Sequence, residues 1–154
     1  MDTKGELYKL NEPVLSNWKQ AFVQTSCTLL IILFLYAATS KLLNYEKFQI
    51  QISQSAMLTE YANVIAWSVP ALEIIISFLL CFVVTRPAAL YASFSMMMAF
   101  TIYIFVILHF SSSIPCSCGG ILEKMGWTQH LIFNLVFTCI SAGAILVATP
   151  GQKR

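Results

Sequence analysis

Two cysteines separated by one residue are the residues of this sequence best suited to chemistry. Cys116 and Cys118 lie within residues 111–120 and are followed by Gly119 and Gly120. A disulfide between them would close a very small ring, and strained, exposed disulfides tend to be the labile or catalytic ones. Such a ring is also too short to stabilise the fold much. The spacing therefore favours thiol–disulfide exchange.

Other interpretations of this pair stay open. In these interpretations, the two cysteines form a passive disulfide, have no role, or ligate a metal. A structural zinc ion usually takes four ligands, and His109 and His130 are the only obvious further candidates nearby. We therefore predict no metal site.

Glu73 is the single acidic residue within a long apolar stretch. A charged side chain near the centre of a bilayer is costly unless it is paired or protonated. On a helix, Glu73 shares a face with Pro70 and Ser77, and this face must point toward other helices. Two interpretations stay open: a protonated Glu73 that donates a hydrogen bond to a neighbouring helix, or a group that handles protons.

Polar residues also recur at helical spacing in the last apolar stretch, at His130, Asn134 and Thr138. This stripe must face inward, either as ordinary polar contacts between helices or, at His130, as a group that stabilises a cysteine thiolate. Lys41 ends the first apolar stretch. We expect its ammonium to extend to the lipid headgroups, and the alternative is that it stabilises a cysteine thiolate.

The composition defines the class of protein that must position these residues. The chain has 154 residues, of which 58% are hydrophobic and 10% charged, against about a quarter charged in a soluble domain. A soluble enzyme and a disordered chain are both excluded. A net charge of +2 without a basic stripe argues against nucleic-acid binding. The chain is expected to be a small membrane protein.

Four apolar stretches reach the length of about 20 residues that a membrane-spanning helix needs. We predict an all-α, polytopic membrane protein, a bundle of four transmembrane helices over about residues 21–40, 64–84, 88–110 and 128–148. Residues 1–20 form a lead, 21–148 the transmembrane domain and 149–154 a tail. Phe48, Ile52 and Ala56 recur every fourth residue between the first two spans, which predicts an interfacial amphipathic helix. A loop with a helical turn is the alternative.

The basic residues predict the orientation. An even number of spans puts both termini on one side, and six lysines and arginines lie there against three on the other side. By the positive-inside rule, both termini are expected in the cytoplasm of a bacterium, with the protein in its inner membrane. Cys116 and Cys118 would then lie in the periplasm, where disulfides persist. Cleavage of the first span as a signal peptide is the alternative.

The order of these features resembles the MauE branch of the DoxX-like membrane proteins, a redox-associated family with four helices. The resemblance covers residues 21–148. It rests on residues 37–43 with Lys41, on the Pro-x-x-Glu pattern that ends at Glu73, on the Cys-x-Cys turn, and on the polar start of the last span. It implies disulfide chemistry outside the cytoplasm with a thioredoxin-like partner or a disulfide-containing client. Other DoxX-like proteins are membrane subunits linked to quinone, so the resemblance makes quinone the candidate cofactor.

Two hypotheses of different classes follow. In the first, the chain is an inner-membrane redox accessory protein, one component of a thiol–disulfide oxidoreductase. It relays electrons between a periplasmic thioredoxin-like partner and the membrane through Cys116 and Cys118, supported by Glu73, His130, Asn134 and Lys41. In the second, it is a non-catalytic membrane subunit that anchors or assembles a larger complex. A transporter with Glu73 as the coupling carboxylate is a third interpretation, and the lack of a visible inverted repeat in the sequence argues against it.

Overall fold

The computed structural model describes residues 17–54, 59–110 and 126–148, and every long element in these ranges is an α-helix. We number the helices α1 (Asn17–Leu43), α2 (Tyr45–Ser53), α3 (Ala62–Cys81), α4 (Arg86–Phe110) and α5 (Trp127–Ala148). Four of them, α1, α3, α4 and α5, are long and apolar enough to cross a membrane. The predicted all-α fold with four spans is confirmed.

The ends of the spans differ from the predicted ones, for two physical reasons. α1 extends beyond both ends of the predicted span 21–40, because a helix can continue past the apolar residues that hydropathy detects. α3 ends at Cys81 and not at residue 84, because the backbone of Phe82 is extended. Val83 and Val84 are apolar, so the hydropathy pattern alone assigned them to the span. The predicted lead and tail lie largely outside the described residues.

The helix expected between the first two spans is present as α2, which has nine residues and ends at Ser53. Ile52 is buried there with Ala62 and Ala66 of α3, and Phe48 packs against the same cluster. Ala56, the third residue of the predicted apolar face, lies outside the described residues. The amphipathic pattern therefore identified a helix whose apolar face packs against α3.

The connection between α3 and α4 is short, and side chains close it. The Thr85 hydroxyl donates a hydrogen bond to the carbonyl of Leu79 over 2.6 Å, and Arg86 Nε donates to the carbonyl of Leu80 over 3.5 Å. These bonds satisfy carbonyl groups that the end of a helix leaves free. Pro87 lies in the first turn of α4, where its missing N–H costs nothing.

The four spans form a ring in which α1 packs against α3 and α5, and α4 packs against the same two helices. The end of α1, the start of α3, the end of α4 and the start of α5 lie together, with α2 packed on α3 beside them. We call this the α2 end of the bundle. A second cavity lies at the opposite end of the bundle, and its wall includes Asn17, Val83, Arg86 and Ala148.

The interior of the ring combines large apolar and small polar side chains. Leu30, Phe34, Leu80, Leu90 and Met97 are fully buried. The buried hydroxyls donate to carbonyl groups of their own helices, so they leave no unmet polar group and allow close packing. The outer faces expose many large apolar side chains, as a helix surface in lipid requires.

Candidate functional site

An ion pair between α1 and α3 forms the centre of the candidate site. Lys41 Nζ donates a hydrogen bond to Glu73 Oε1 over 2.5 Å. Glu73 is fully buried, and the side chain of Lys41 is 20% exposed. Because Cα–Cβ bonds tilt toward the start of a helix, a lysine near the end of α1 is directed back into the bundle. Lys41 therefore does not extend to the headgroups, and the expectation from the sequence was wrong on this point.

Two aromatic rings complete the surroundings of the ammonium group. Lys41 Nζ lies 5.8 Å from the ring centre of Phe48 on α2 and 5.2 Å from that of Phe100 on α4. The face of a phenyl ring attracts a cation, which offsets part of the cost of removing the ammonium from water. One side chain on α1 thus contacts α2, α3 and α4.

The second carboxylate oxygen of Glu73 is an acceptor without a donor. Glu73 Oε2 is buried and has no hydrogen-bond partner among the described residues. The nearby hydroxyl of Ser77 donates to the main-chain carbonyl of Glu73 over 2.8 Å, so it does not serve the carboxylate. A buried acceptor that lacks a donor is costly, and a native structure seldom keeps one without a reason.

A cavity of about 380 Å³ opens at the α2 end of the bundle, and the ion pair forms part of its wall. His130 and Asn134 of α5 line the same cavity. Most of the remaining wall is apolar and aromatic, contributed by Phe34, Phe48, Phe100, Tyr103, Trp127 and Phe133. A cavity of this size and lining is typical of sites for small molecules. The four supporting residues predicted from the sequence therefore surround a single cavity, while their roles stay predictions.

The polar stripe on α5 faces inward, as its spacing predicted. Beyond His130 and Asn134, Thr138 and Ser141 are buried. The hydroxyls of Thr138 and Thr101 lie 3.4 Å apart and join α5 to α4. The half of the stripe at the α2 end lines the cavity, and the other half holds helices together.

Several residues of the cavity wall were not predicted from the sequence. Ser40, Asn44 and Gln51 are polar residues that line it, and Phe100 contacts the ammonium group from α4. Gln51 belongs to α2, for which the sequence predicted an interfacial helix and no part in a site. Hydropathy gives no signal for Phe100, because it resembles every other apolar residue of its span.

Cys116 and Cys118 fall in residues 111–125, outside the described residues. This segment connects the end of α4 to the start of α5, and both of those helix ends lie at the α2 end of the bundle. Of the other cysteines, Cys27 is buried, whereas Cys81 and Cys139 are exposed on the outer faces of the spans. Within the part of the chain that the structure describes, no group of three metal-binding side chains comes together.

Comparison with protein-family models assigns the chain to a family. A family model described as methylamine utilisation protein MauE matches residues 19–148. The matched range includes all of α2 to α5, nearly all of α1, and the segment with Cys116 and Cys118. No curated protein and no solved structure matches significantly.

Proposed function

The chain belongs to the MauE family, and from this premise we propose that it is a membrane accessory protein of methylamine utilisation that performs thiol–disulfide exchange. The exchanging pair is Cys116 and Cys118. The protein lies in the inner membrane with both termini in the cytoplasm. The exchange partner is a periplasmic thioredoxin-like protein or a disulfide-containing client.

The observation that supports this proposal most is the position of the polar cavity relative to the cysteine segment. Cys116 is the sixth residue after Phe110, at the end of α4. The end of α4 lies at the α2 end of the bundle, so the chain segment that carries Cys116 is attached there. The cavity, with the Lys41–Glu73 ion pair, opens at that same end. Polar groups buried in apolar spans are costly, and their presence at the end of the bundle to which the cysteine segment is attached favours a chemical role.

The exchange is balanced in atoms and electrons. A thiolate at Cys116 or Cys118 attacks a disulfide of the partner, and a mixed disulfide forms while one partner sulfur leaves as a thiolate. The second cysteine then attacks the mixed disulfide, releases the reduced partner and closes the bond between Cys116 and Cys118. Two electrons pass from this chain to the partner, and the reverse sequence passes them back.

The cavity also fits the quinone that the family resemblance implies. Its aromatic walls suit a planar ring, and Lys41 keeps ammonium protons beyond the one donated to Glu73. A bound quinone would accept two electrons and two protons. Lys41, His130 and Asn134 are the residues that would hold its carbonyl groups.

Trapping of the mixed disulfide tests the exchange. In native membranes, we expect either Cys116→Ser or Cys118→Ser to accumulate a species linked to another protein by a bond that reductant breaks. The double variant should give no such species. Cys139→Ser is the matched control, because this exposed cysteine lies in a span, and it should behave as the unchanged protein.

The outcomes separate the two functional hypotheses. Failure of both single variants to trap a partner would overturn the exchange. If the double variant also weakened assembly of a larger complex while client disulfides formed normally, the non-catalytic subunit would replace the relay.

The redox state of the pair gives a second prediction. Thiol alkylation with a mass tag, after equilibration of membranes in graded glutathione buffers, should show a disulfide between Cys116 and Cys118 that reduces reversibly. Strained disulfides have higher reduction potentials than structural ones, so reduction is expected within the glutathione range. A bond that resists reduction, or two thiols that stay free in every buffer, would contradict the relay.

A further inference from the structure

We propose that the cavity at the α2 end binds an uncharged hydroxylated aromatic molecule from the bilayer, whose hydroxyl group donates a hydrogen bond to Glu73 Oε2. Alkylphenols and hydroquinones share this chemistry. The inference rests on the ligand site proposed above and not on Cys116 or Cys118, and it assigns to that site a preference for the hydroxylated form of the ligand over the quinone.

The free oxygen of Glu73 determines the kind of polar group that the site requires. Glu73 is fully buried and lines the cavity, and its Oε2 atom has no partner among the described residues. An ionised carboxylate can only accept hydrogen bonds. The ligand therefore needs a donor, and a ligand with carbonyl or ether oxygens alone leaves Oε2 unsatisfied.

The Lys41–Glu73 ion pair limits the charge of the ligand. Lys41 already pairs with Oε1 of the same carboxylate, so the ion pair is neutral overall. A cationic ligand would place a second positive charge beside the ammonium, and an anionic ligand would place its charge beside the carboxylate. Like charges at such distances repel strongly in a medium of low dielectric. An uncharged hydroxyl group meets the requirement without either penalty.

The apolar wall of the cavity determines the body of the ligand. The cavity wall is predominantly apolar and includes six aromatic side chains, among them Phe34, Phe133 and Trp127. Aromatic rings pack against one another in offset or edge-to-face arrangements that add to the gain from burial. The volume of about 380 Å³ is that of a site for a small molecule. A single substituted ring that partitions into lipid meets these conditions.

Binding to protein whose cavity wall is unchanged provides the primary test. Trp127 lines the cavity, whereas Trp18 and Trp67 are exposed on outer surfaces. In detergent-purified protein with Trp18→Phe and Trp67→Phe, titration with 4-heptylphenol should change Trp127 fluorescence in a saturable way. Its methyl ether has the same ring and chain but no donor, and we expect it to bind at least tenfold more weakly. Equal affinity of the phenol and the ether, or no saturable binding of the phenol, would overturn the proposal.

Competition against 4-heptylphenol separates the two sources of the ligand chemistry. An alkyl hydroquinone that displaces the phenol at lower concentration identifies the hydroquinone as the preferred ligand. Equal displacement identifies phenols in general, and both results support the site. The corresponding quinone has acceptors only, so it should compete more weakly than its reduced form. A quinone that competes better than the hydroquinone would contradict the assigned role of Glu73.

Variants then locate the hydrogen bond. Glu73→Gln should reduce the affinity for 4-heptylphenol about tenfold and leave the affinity for the ether unchanged, a difference that general loosening of the fold would not produce. Ser77→Ala is the matched control, because this buried neighbour bonds only the main chain of Glu73, and it should preserve the difference between phenol and ether. The double variant Cys116→Ser and Cys118→Ser should bind as the unchanged protein does, so failure of the exchange reaction leaves this test intact.

Discussion

The ammonium group of Lys41 is the point at which four helices of this protein meet. It belongs to α1, pairs with Glu73 of α3, and lies over the rings of Phe48 on α2 and Phe100 on α4. Removal of one partner from a buried ion pair leaves an uncompensated charge, whereas removal of both leaves none. The contribution of this pair is therefore better measured by a double substitution than by either single one.

We expect Lys41→Met to lower the free energy of unfolding by on the order of 3 kcal/mol, because Glu73 then loses its counter-charge in the interior. Adding Glu73→Gln should restore at least half of that loss. Unfolding by sodium dodecyl sulfate in mixed micelles, followed by circular dichroism, measures both effects. Additive losses from the two substitutions would show that the charges do not interact energetically.

At the scale of single residues, the sequence predicted which side chains face the interior of the bundle, but not which side chains contact each other. The spacing around Glu73 and the stripe at His130 and Asn134 correctly identified buried faces, because periodicity depends on one helix alone. The partner of Glu73 depends on the rotation and height of two helices relative to each other. The sequence contains no local signal for this relative rotation and height, so the ammonium of Lys41 was predicted to lie at the lipid headgroups.

At the scale of the elements, α2 is the helix that depends most on its neighbours. With nine residues it is too short to be stable in isolation. Its apolar face holds it against α3 through Ile52, and Phe48 and Gln51 form part of the cavity wall. Any change that separates α2 from α3 therefore also changes the cavity.

Ile52→Ala should loosen α2 without unfolding the bundle. Loss of this buried side chain costs about 2 kcal/mol, so amide hydrogen exchange in α2 should accelerate about thirtyfold while exchange in α4 stays unchanged. Ile50→Ala provides the control on the same helix, because Ile50 is 55% exposed and its truncation should have little effect. Equal acceleration by both variants would mean that α2 is not held by its apolar face.

At the scale of the whole molecule, the ring of spans brings the polar residues to one end. Hydropathy predicted the number and approximate limits of the spans, because lipid requires long apolar helices. It did not predict the order α3, α1, α5, α4 around the ring, since the outer and inner faces of these helices are similarly apolar. The cavity arises from that order, and for this reason it could not be predicted.

The proposed orientation can be checked at two positions at opposite ends of the bundle. In a variant without its five native cysteines, Lys47→Cys on α2 should react with a membrane-impermeant maleimide in intact spheroplasts. Val84→Cys, between α3 and α4, should react only after the membrane is permeabilised. Both native side chains are exposed, so burial cannot account for a difference. The reverse pattern would invert the topology and place Cys116 and Cys118 in the cytoplasm.

The Lys41–Glu73 contact also has a consequence for biosynthesis. The ribosome completes α1 well before it reaches Glu73, so the new chain holds a membrane-embedded ammonium whose counter-charge has not yet been made. Until α3 is inserted, release of α1 alone into lipid is unfavourable, because its ammonium group has no counter-charge. We expect α1 and α3 to leave the insertion machinery together as a hairpin, and a chain with Glu73→Lys to be retained there and degraded.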